Sequence, residues 1–355
     1  MAVEHTNSFK WYDRNEIAAC DGLLDGARLH RVARRAFDDI AAGTAYGLKS
    51  TISISADELP ELKTLKRTSQ LPERLGWKLS CLSSVNKTYG GVKIVGANAL
   101  NRRIGLARSS STILLLDKLT MTPLCAMDAT DISAARTASY ATFVIDRFFQ
   151  GRERISIFLF GAGPIAERII LAIEDWGAHL VNALTVQSRT RTSAADLVAR
   201  LRPRISFELT AADGAEALAQ SDLIITATNA KSPVFEATNV RDALVLHLGG
   251  DETPGGYLQQ AIRQGLVLCD SIEMVSRRNS QSLALYFSRR GTTLEHMGPL
   301  LGIENLGTFK GKRPVGAPTH ITCVGLPMLD LYVGAYVYET LLLNENNQAM
   351  LAPGV

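Results

Sequence analysis

The run ISIFLFGAGPIAERIILAIEDWG at 155–177 constrains the fold most: an apolar hexapeptide of strand length passes directly into glycines and then into a helical pattern. Gly161, Gly163 and Ala166 stand in Gly-x-Gly-x-x-Ala order, with Pro164 and Ile165 inside the motif. Each small residue answers a steric demand. Gly161 permits a tight turn, Gly163 lets backbone approach a pyrophosphate, and Ala166 lets the helix pack on the sheet with its first amides facing the phosphates. The segment therefore predicts the opening strand, turn and helix of a dinucleotide-binding unit.

Apolar runs alternate with helical ones from there to about residue 270. ISIFLF (155–160), LVNALTVQ (180–187), ISFEL (205–209), DLIITAT (222–228), LVLHLG (244–249) and LVLCD (266–270) read as strands. Strands alternating with helices and apolar on both faces predict an α/β fold: a Rossmann doubly wound parallel sheet. Before it, 21–46 has the spacing of an amphipathic helix ending near Gly43. KLSCLSSV (78–85), VKIVG (92–96), TILLLD (112–117) and PLCAMD (123–128) read as a second sheet built partly from hairpins. A long helical pattern starts near residue 132.

The second strand of the parallel sheet ends VQSRTRTS, where an acid would favour the free ribose hydroxyls of NAD. Ser188, Arg189, Thr190 and Arg191 stand there instead. They offer donors and positive charge to a 2′-phosphate, so NADP is expected over NAD, the alternative being two arginines that only face solvent. TATNA at 226–230 closes a later strand, and Thr226, Ala227 and Thr228 are expected beside the nicotinamide half of the crevice.

The 38 basic against 35 acidic side chains leave a net charge of +3, too small and dispersed to predict nucleic acid or an anionic membrane as a partner. Five widely spaced cysteines without a Cys-x-x-Cys pair read as reduced thiols, and no metal site is expected. The N-terminus lacks a basic and apolar leader pattern, and no apolar run reaches about 18 residues, so a cytoplasmic protein is expected. No nucleophile elbow, phosphate-binding Gly-Lys loop or paired-histidine zinc motif occurs. His247, inside an apolar strand, reads as a hydrogen-bonded core residue.

Three further segments, GVKIVGAN (91–98), DISAARTASYA (131–141) and LGGDETPGG (248–256), resemble in this order the motifs of the ornithine cyclodeaminase and mu-crystallin family. VGLPMLDLYVGAYVYE (324–339) is similar to that family's C-terminal helix. The resemblance implies a homodimer acting on a small amino-acid substrate, and redox cycling between an amine and an imine. It also implies an α+β dimerisation and substrate domain assembled from both chain ends, 1–131 and 325–355, over a Rossmann domain at 132–324. The family's active-site lysine matches Lys93, its substrate-carboxylate arginine Arg136 and its catalytic aspartate Asp251.

Chemistry asks for the same set. A planar guanidinium at the head of a helix, as expected for Arg136, holds a carboxylate with two parallel hydrogen bonds. A carboxylate such as Asp251 stabilises a substrate iminium and can take a proton from attacking water or amine. A desolvated Lys93 can shuttle a proton or help hold the carboxylate.

Within the family, GLARSSSTILLLD (105–117) and ISAARTAS (132–139) are most similar to the branch that oxidises N-(2-amino-2-carboxyethyl)-L-glutamate to L-2,3-diaminopropionate and 2-oxoglutarate for siderophore or antibiotic biosynthesis. A substrate with three carboxylates calls for an added cation, and Arg108 is the candidate. LGGD and the acid-free SRTR instead match the pattern of ornithine cyclodeaminases and NADPH-dependent ketimine reductases. A mu-crystallin-like protein that binds NADPH and a small ligand without turnover is the third reading.

Overall fold

Alternating burial builds the first sheet. The computed structural model describes residues 9–53, 77–98, 101, 105–212, 214–240 and 242–351. Strands β1 (Lys10–Tyr12), β2 (Tyr46–Ser53), β3 (Trp77–Val85), β4 (Tyr89–Asn98), β5 (Ser109–Asp117) and β6 (Pro123–Asp128) lie in the order β1-β6-β5-β4-β3-β2. All neighbours are antiparallel except β1 and β6. The β3–β4 turn is shaped by Asn86, whose side-chain oxygen accepts from the amides of Thr88 and Tyr89. One face, with Leu82, Ile113 and Leu115 buried, lies under helix Pro327–Leu351. The helix approaches closely because Gly91 and Gly334 carry no side chains: a β-carbon on Gly91 would stand 2.9 Å from Leu331, and one on Gly334 3.2 Å from Ile113. The other face leaves Trp11, Leu48, Ile52, Leu79 and Ile94 exposed.

The second sheet is parallel throughout. Strands β7 (Ile155–Phe160), β8 (Val181–Gln187), β9 (Glu208–Ala211), β10 (Leu223–Thr226), β11 (Leu244–His247), β12 (Leu266–Cys269), β13 (Glu304–Asn305) and β14 (Thr319–Thr322) take the order β13-β12-β14-β11-β10-β7-β8-β9. β7 to β11 thus follow the 3-2-1-4-5 arrangement of a dinucleotide-binding sheet, with the chain reversing its direction of winding between β7 and β10. Phe158, Phe160, Ile224, Val245, Tyr257 and Val267 anchor the core on one side.

The two compact units are Met1–Leu24, Asp38–Ser133 and Pro327–Val355, and Asp25–Phe37 with Ala134–Leu326. Residues 25–37 therefore group with the parallel sheet, whereas the sequence put them with the first domain. Packing explains this. A β-carbon on Gly26 would fall 2.4 Å from the Ala172 backbone, His30 stacks on Trp176 at 4.2 Å, and Phe37 stacks on Phe143 at 3.9 Å.

Three expectations shift. The strand read at 205–209 begins at Glu208, because Pro203 sets a 3-10 turn over Arg202–Arg204 that ends at Ile205. The long helix spans Thr130–Phe148, so Arg136 lies in its second turn and not at its head. Asp128 accepts from the Thr130 amide at 2.8 Å and starts the helix earlier. β14, the strand between β11 and β12, was not anticipated: Thr-His-Ile-Thr carries little apolar signal, yet all four residues are buried. Among the described residues no helix is long and apolar enough to cross a membrane.

Burial pushes the imidazoles of His30 and His247 down from 6.5 to about 4, and that of His320 well below its ordinary value. The folded form therefore binds fewer protons than the unfolded chain between about pH 6.5 and 4, and stability falls as pH drops through that window. Urea midpoints measured from pH 7 to pH 4.5 are expected to fall, with a shallower decline in His30→Gln, where one of the three sites no longer titrates.

Candidate active site at the carboxyl edge of the parallel sheet

The carboxyl ends of β7, β8 and β10, adjacent in the sheet, gather the residues expected around a dinucleotide. Gly161 follows β7 at φ +121°, and a β-carbon there would lie 2.5 Å from the Ala227 carbonyl oxygen. Only glycine fits. At Gly163 a β-carbon would meet nothing within 4 Å, and no side chain caps helix Pro164–Gly177, which begins there with Pro164 and Ile165. An open approach to an uncapped fourteen-residue helix suits a pyrophosphate. Ala166 is fully buried against the sheet. A nicotinamide dinucleotide fits these residues.

At the end of β8 the Ser188 hydroxyl donates to the Thr190 carbonyl at 2.6 Å, and the Thr190 and Ser193 hydroxyls are 2.6 Å apart. Arg189 and Arg191 are exposed beside this turn. At the end of β10, Thr226 is buried and the Ala227 amide donates to the Phe160 carbonyl, joining the loop to β7.

Glu252 was missed by the sequence reading. Fully buried, it accepts from the Thr228 amide at 2.9 Å and the Thr228 hydroxyl at 2.6 Å, and so ties the loop after β10 to the loop after β11. Burial pushes its carboxyl above the ordinary range, opposed by the hydrogen bonds from Thr228. Its oxygen occupies the place of a side chain on Gly249, 2.0 Å from where a β-carbon would be. The adjacent Asp251, with 11% of its side chain exposed, accepts from Arg289 at 2.5 Å. His247 fixes the same loop: its Nε2 lies 2.7 Å from the Gly250 carbonyl oxygen, the hydrogen-bonded core role read for it. A chain of polar contacts continues behind it, with His247 Nδ1 3.5 Å from the Thr322 hydroxyl and that hydroxyl 2.8 Å from His320 Nε2.

Arg136 is buried on the same unit. Gly325, at φ +88°, makes room for it: a β-carbon would stand 2.7 Å from one terminal nitrogen of the guanidinium and 2.9 Å from the other. Asp270, just beyond β12, accepts from Tyr140 Oη at 2.7 Å and from the Gly325 amide at 2.8 Å, and Tyr140 Oη accepts in turn from the Leu326 amide. Arg136, beside the turn after β14, and Asp251, in the loop after β11, stand at the carboxyl ends of neighbouring strands.

Lys93 and Arg108 belong to the first unit. Lys93, 2% exposed on β4, donates to Asp330 at 2.6 Å and to the Ser133 hydroxyl at 3.1 Å. The lone desolvated lysine of the sequence reading is thus an ion-paired one, and Asp330, hidden in the pattern of the last helix, is its partner. Arg108 is half-buried, with its carbonyl accepting from the Asn98 amide. Asn98 lies five positions beyond Lys93 on β4, roughly 17 Å along the strand. The structure does not bring Arg108 to Lys93.

Residues 63–345 match the model of the ornithine cyclodeaminase/mu-crystallin family. An uncharacterized protein of Schizosaccharomyces pombe is 27% identical over 168 residues, 46% of this chain, and the chain spans only half of that relative's length. A delta(1)-pyrroline-2-carboxylate reductase of Bacillus cereus is 22% identical over 257 residues, covering 70% of this chain and 76% of its own. The structure of Thermococcus litoralis delta(1)-pyrroline-2-carboxylate reductase in complex with NADH and L-proline superposes with a TM-score of 0.76 at 20% identity, over 94% of this chain and 98% of that one.

Glu252→Ala removes the acceptor shared by the Thr228 amide and hydroxyl and is expected to destabilise the fold by about 1–3 kcal/mol. Hydrogen exchange at Thr228 should quicken more than at β7, as checked by mass spectrometry of the peptides covering each.

Proposed function

The chain belongs to the ornithine cyclodeaminase/mu-crystallin family, and from that membership we propose that it is an NADP-dependent oxidoreductase of an amino-acid carbon–nitrogen bond, reducing a cyclic α-imino acid to the amine. The observation that carries this reading is the pairing, on one unit, of the open Gly161–Ala166 turn with buried Arg136 and Asp251 near the same sheet edge. The likeness to pyrroline-2-carboxylate reductases supports the choice of substrate.

When bound, the nicotinamide supplies the hydride. Arg136 holds the substrate carboxylate through two parallel hydrogen bonds and so orients the imine carbon. Asp251 stabilises the protonated imine nitrogen and, in the reverse direction, takes up its proton. Glu252, His247 and Gly249 keep the Asp251 loop in place. Lys93, paired with Asp330, is a second catalytic group in this reading. Thr226, Ala227 and Thr228 bound the nicotinamide end, and Ser188, Arg189, Thr190 and Arg191 receive the 2′-phosphate. The exposed apolar face of the first sheet, with Trp11, Leu48, Ile52, Leu79 and Ile94, is the surface a second copy would cover in a homodimer.

Formation of L-2,3-diaminopropionate is the finer alternative. It rests on the 105–117 and 132–139 segments and on Arg108 as an added cation. LGGD at 248–251 and the acid-free SRTR favour imino-acid reduction.

Absorbance at 340 nm with each nicotinamide cofactor tests the choice. Δ1-pyrroline-2-carboxylate with NADPH is expected to turn over to proline. Turnover of N-(2-amino-2-carboxyethyl)-L-glutamate with NAD alone would replace this reading by the diaminopropionate one, and ammonia release from ornithine by a cyclodeaminase. Asp251→Asn is expected to keep NADPH binding, measured by fluorescence, and to lose at least about 100-fold in kcat. Cofactor binding without turnover in the unmodified protein would favour the ligand-binding reading. Arg189→Ala should weaken NADPH by about tenfold and leave NADH within about twofold. Equal weakening of both cofactors would overturn the 2′-phosphate assignment.

A further inference from the structure

The backbone around Asp251 is pinned from both sides. Before it, the Gly250 carbonyl accepts from the Ser282 amide at 3.1 Å and lies 2.7 Å from His247 Nε2. After it, the Glu252 carbonyl accepts from the Val234 amide at 2.9 Å, and the Thr253 amide donates to the Ser282 hydroxyl at 2.8 Å. None of these contacts aims the Asp251 side chain. The last torsion of an aspartate has broad, roughly two-fold minima, so a fixed backbone leaves the carboxylate free to turn. A hydrogen bond to one of its oxygens removes that freedom.

Arg289 supplies the bond. Its Nη2 donates to Asp251 Oδ2 at 2.5 Å, and no other group among the described residues donates to this carboxylate. Helix Ser282–Ser288 delivers the arginine. Leu283, Ala284 and Phe287 bury in the core of the unit, and Arg289 follows the last turn, its amide bonded to the Leu285 carbonyl at 3.0 Å. One short helix thus grips the loop beside Asp251 with its first residue and the carboxylate with the residue after its last. Oδ1 is left to meet a donor from outside the chain.

A guanidinium at this place could also repel a cationic substrate nitrogen. Exposure decides between the two effects: 60% of the Arg289 side chain is in solvent, against 11% of Asp251. Water and salt screen a charge so placed, whereas a hydrogen bond keeps its direction. An ion pair this exposed on one side also adds little to stability, so its removal leaves the fold intact.

We propose that Arg289 is a positioning residue for the reaction: by holding Oδ2 it presents Oδ1 of Asp251 to the substrate nitrogen. This rests on the imino-acid reading above and on the role of Asp251 in it. Arg289 acts through that carboxylate alone.

Steady-state reduction of Δ1-pyrroline-2-carboxylate with NADPH by the full chain tests this, in a cycle of Arg289→Met, Asp251→Asn and the double variant. Arg289→Met keeps the length of the stem without a donor. It is expected to lose at least about fivefold in kcat with KM within about twofold, because the Arg136 grip on the substrate carboxylate is untouched. Arg289→Lys, which keeps a donor and its charge, should recover part of the loss. In the Asp251→Asn background, Arg289→Met should alter the residual kcat by less than about twofold, since the group it acts through is gone. Unchanged kcat in Arg289→Met, or an equal fractional loss in both backgrounds, overturns the role of Arg289 and leaves the imino-acid reading standing. Absence of turnover in the unmodified protein overturns both. Should Arg289→Met lose NADPH binding with its fold, Arg289→Gln decides by the same measure.

Discussion

The carboxyl edge of the parallel sheet depends on one buried carboxylate. Asp270 receives the Tyr140 hydroxyl from helix Thr130–Phe148 and the Gly325 amide from the turn after β14. A charged acceptor inside the protein makes stronger hydrogen bonds than a neutral one and costs more when left unsatisfied. Its two donors therefore hold helix, strand end and turn in one arrangement. That arrangement fixes Gly325, and the missing side chain of Gly325 leaves room for Arg136. The position of the Arg136 guanidinium is thus set, through Gly325, by Asp270.

The polar centre of the sheet follows the same logic. β14 fills a place between β11 and β12 where an apolar strand would pack at lower cost. His320, Thr322 and His247 instead form a chain of contacts through the core to the Gly250 carbonyl. Burial keeps both imidazoles neutral at physiological pH, so each ring can donate at one nitrogen and accept at the other. The chain ends one residue before Asp251. An uncharged chain of polar contacts thus backs the loop that carries Asp251.

Much of this was legible beforehand because it is local. The Gly161 turn, β7, β10 to β12 and the hairpins of the first sheet are carried by adjacent residues whose pattern is unambiguous. β6 and β7 match their sequence limits, 123–128 and 155–160. The missed features are non-local. β14 owes its place to neighbouring strands, and its own four residues read as polar. Glu252 gives no local signal within LGGDETPGG, since its value lies in reaching Thr228, 24 residues earlier. Asp330 sits in the first turn of an apolar helix, where an acid is expected as a match to the helix dipole, and only the fold shows Lys93 beneath it.

The carboxyl group of Glu252 fills the volume that any side chain at position 249 would need. Those two positions are therefore a single unit in sequence space. Alanine at 249 has to push the Glu252 carboxyl away from Thr228, and shortening 252 opens 249 to a side chain at the expense of the loop. Combined changes at the pair will depart strongly from additivity, and diversification of this loop succeeds only when both codons vary at once.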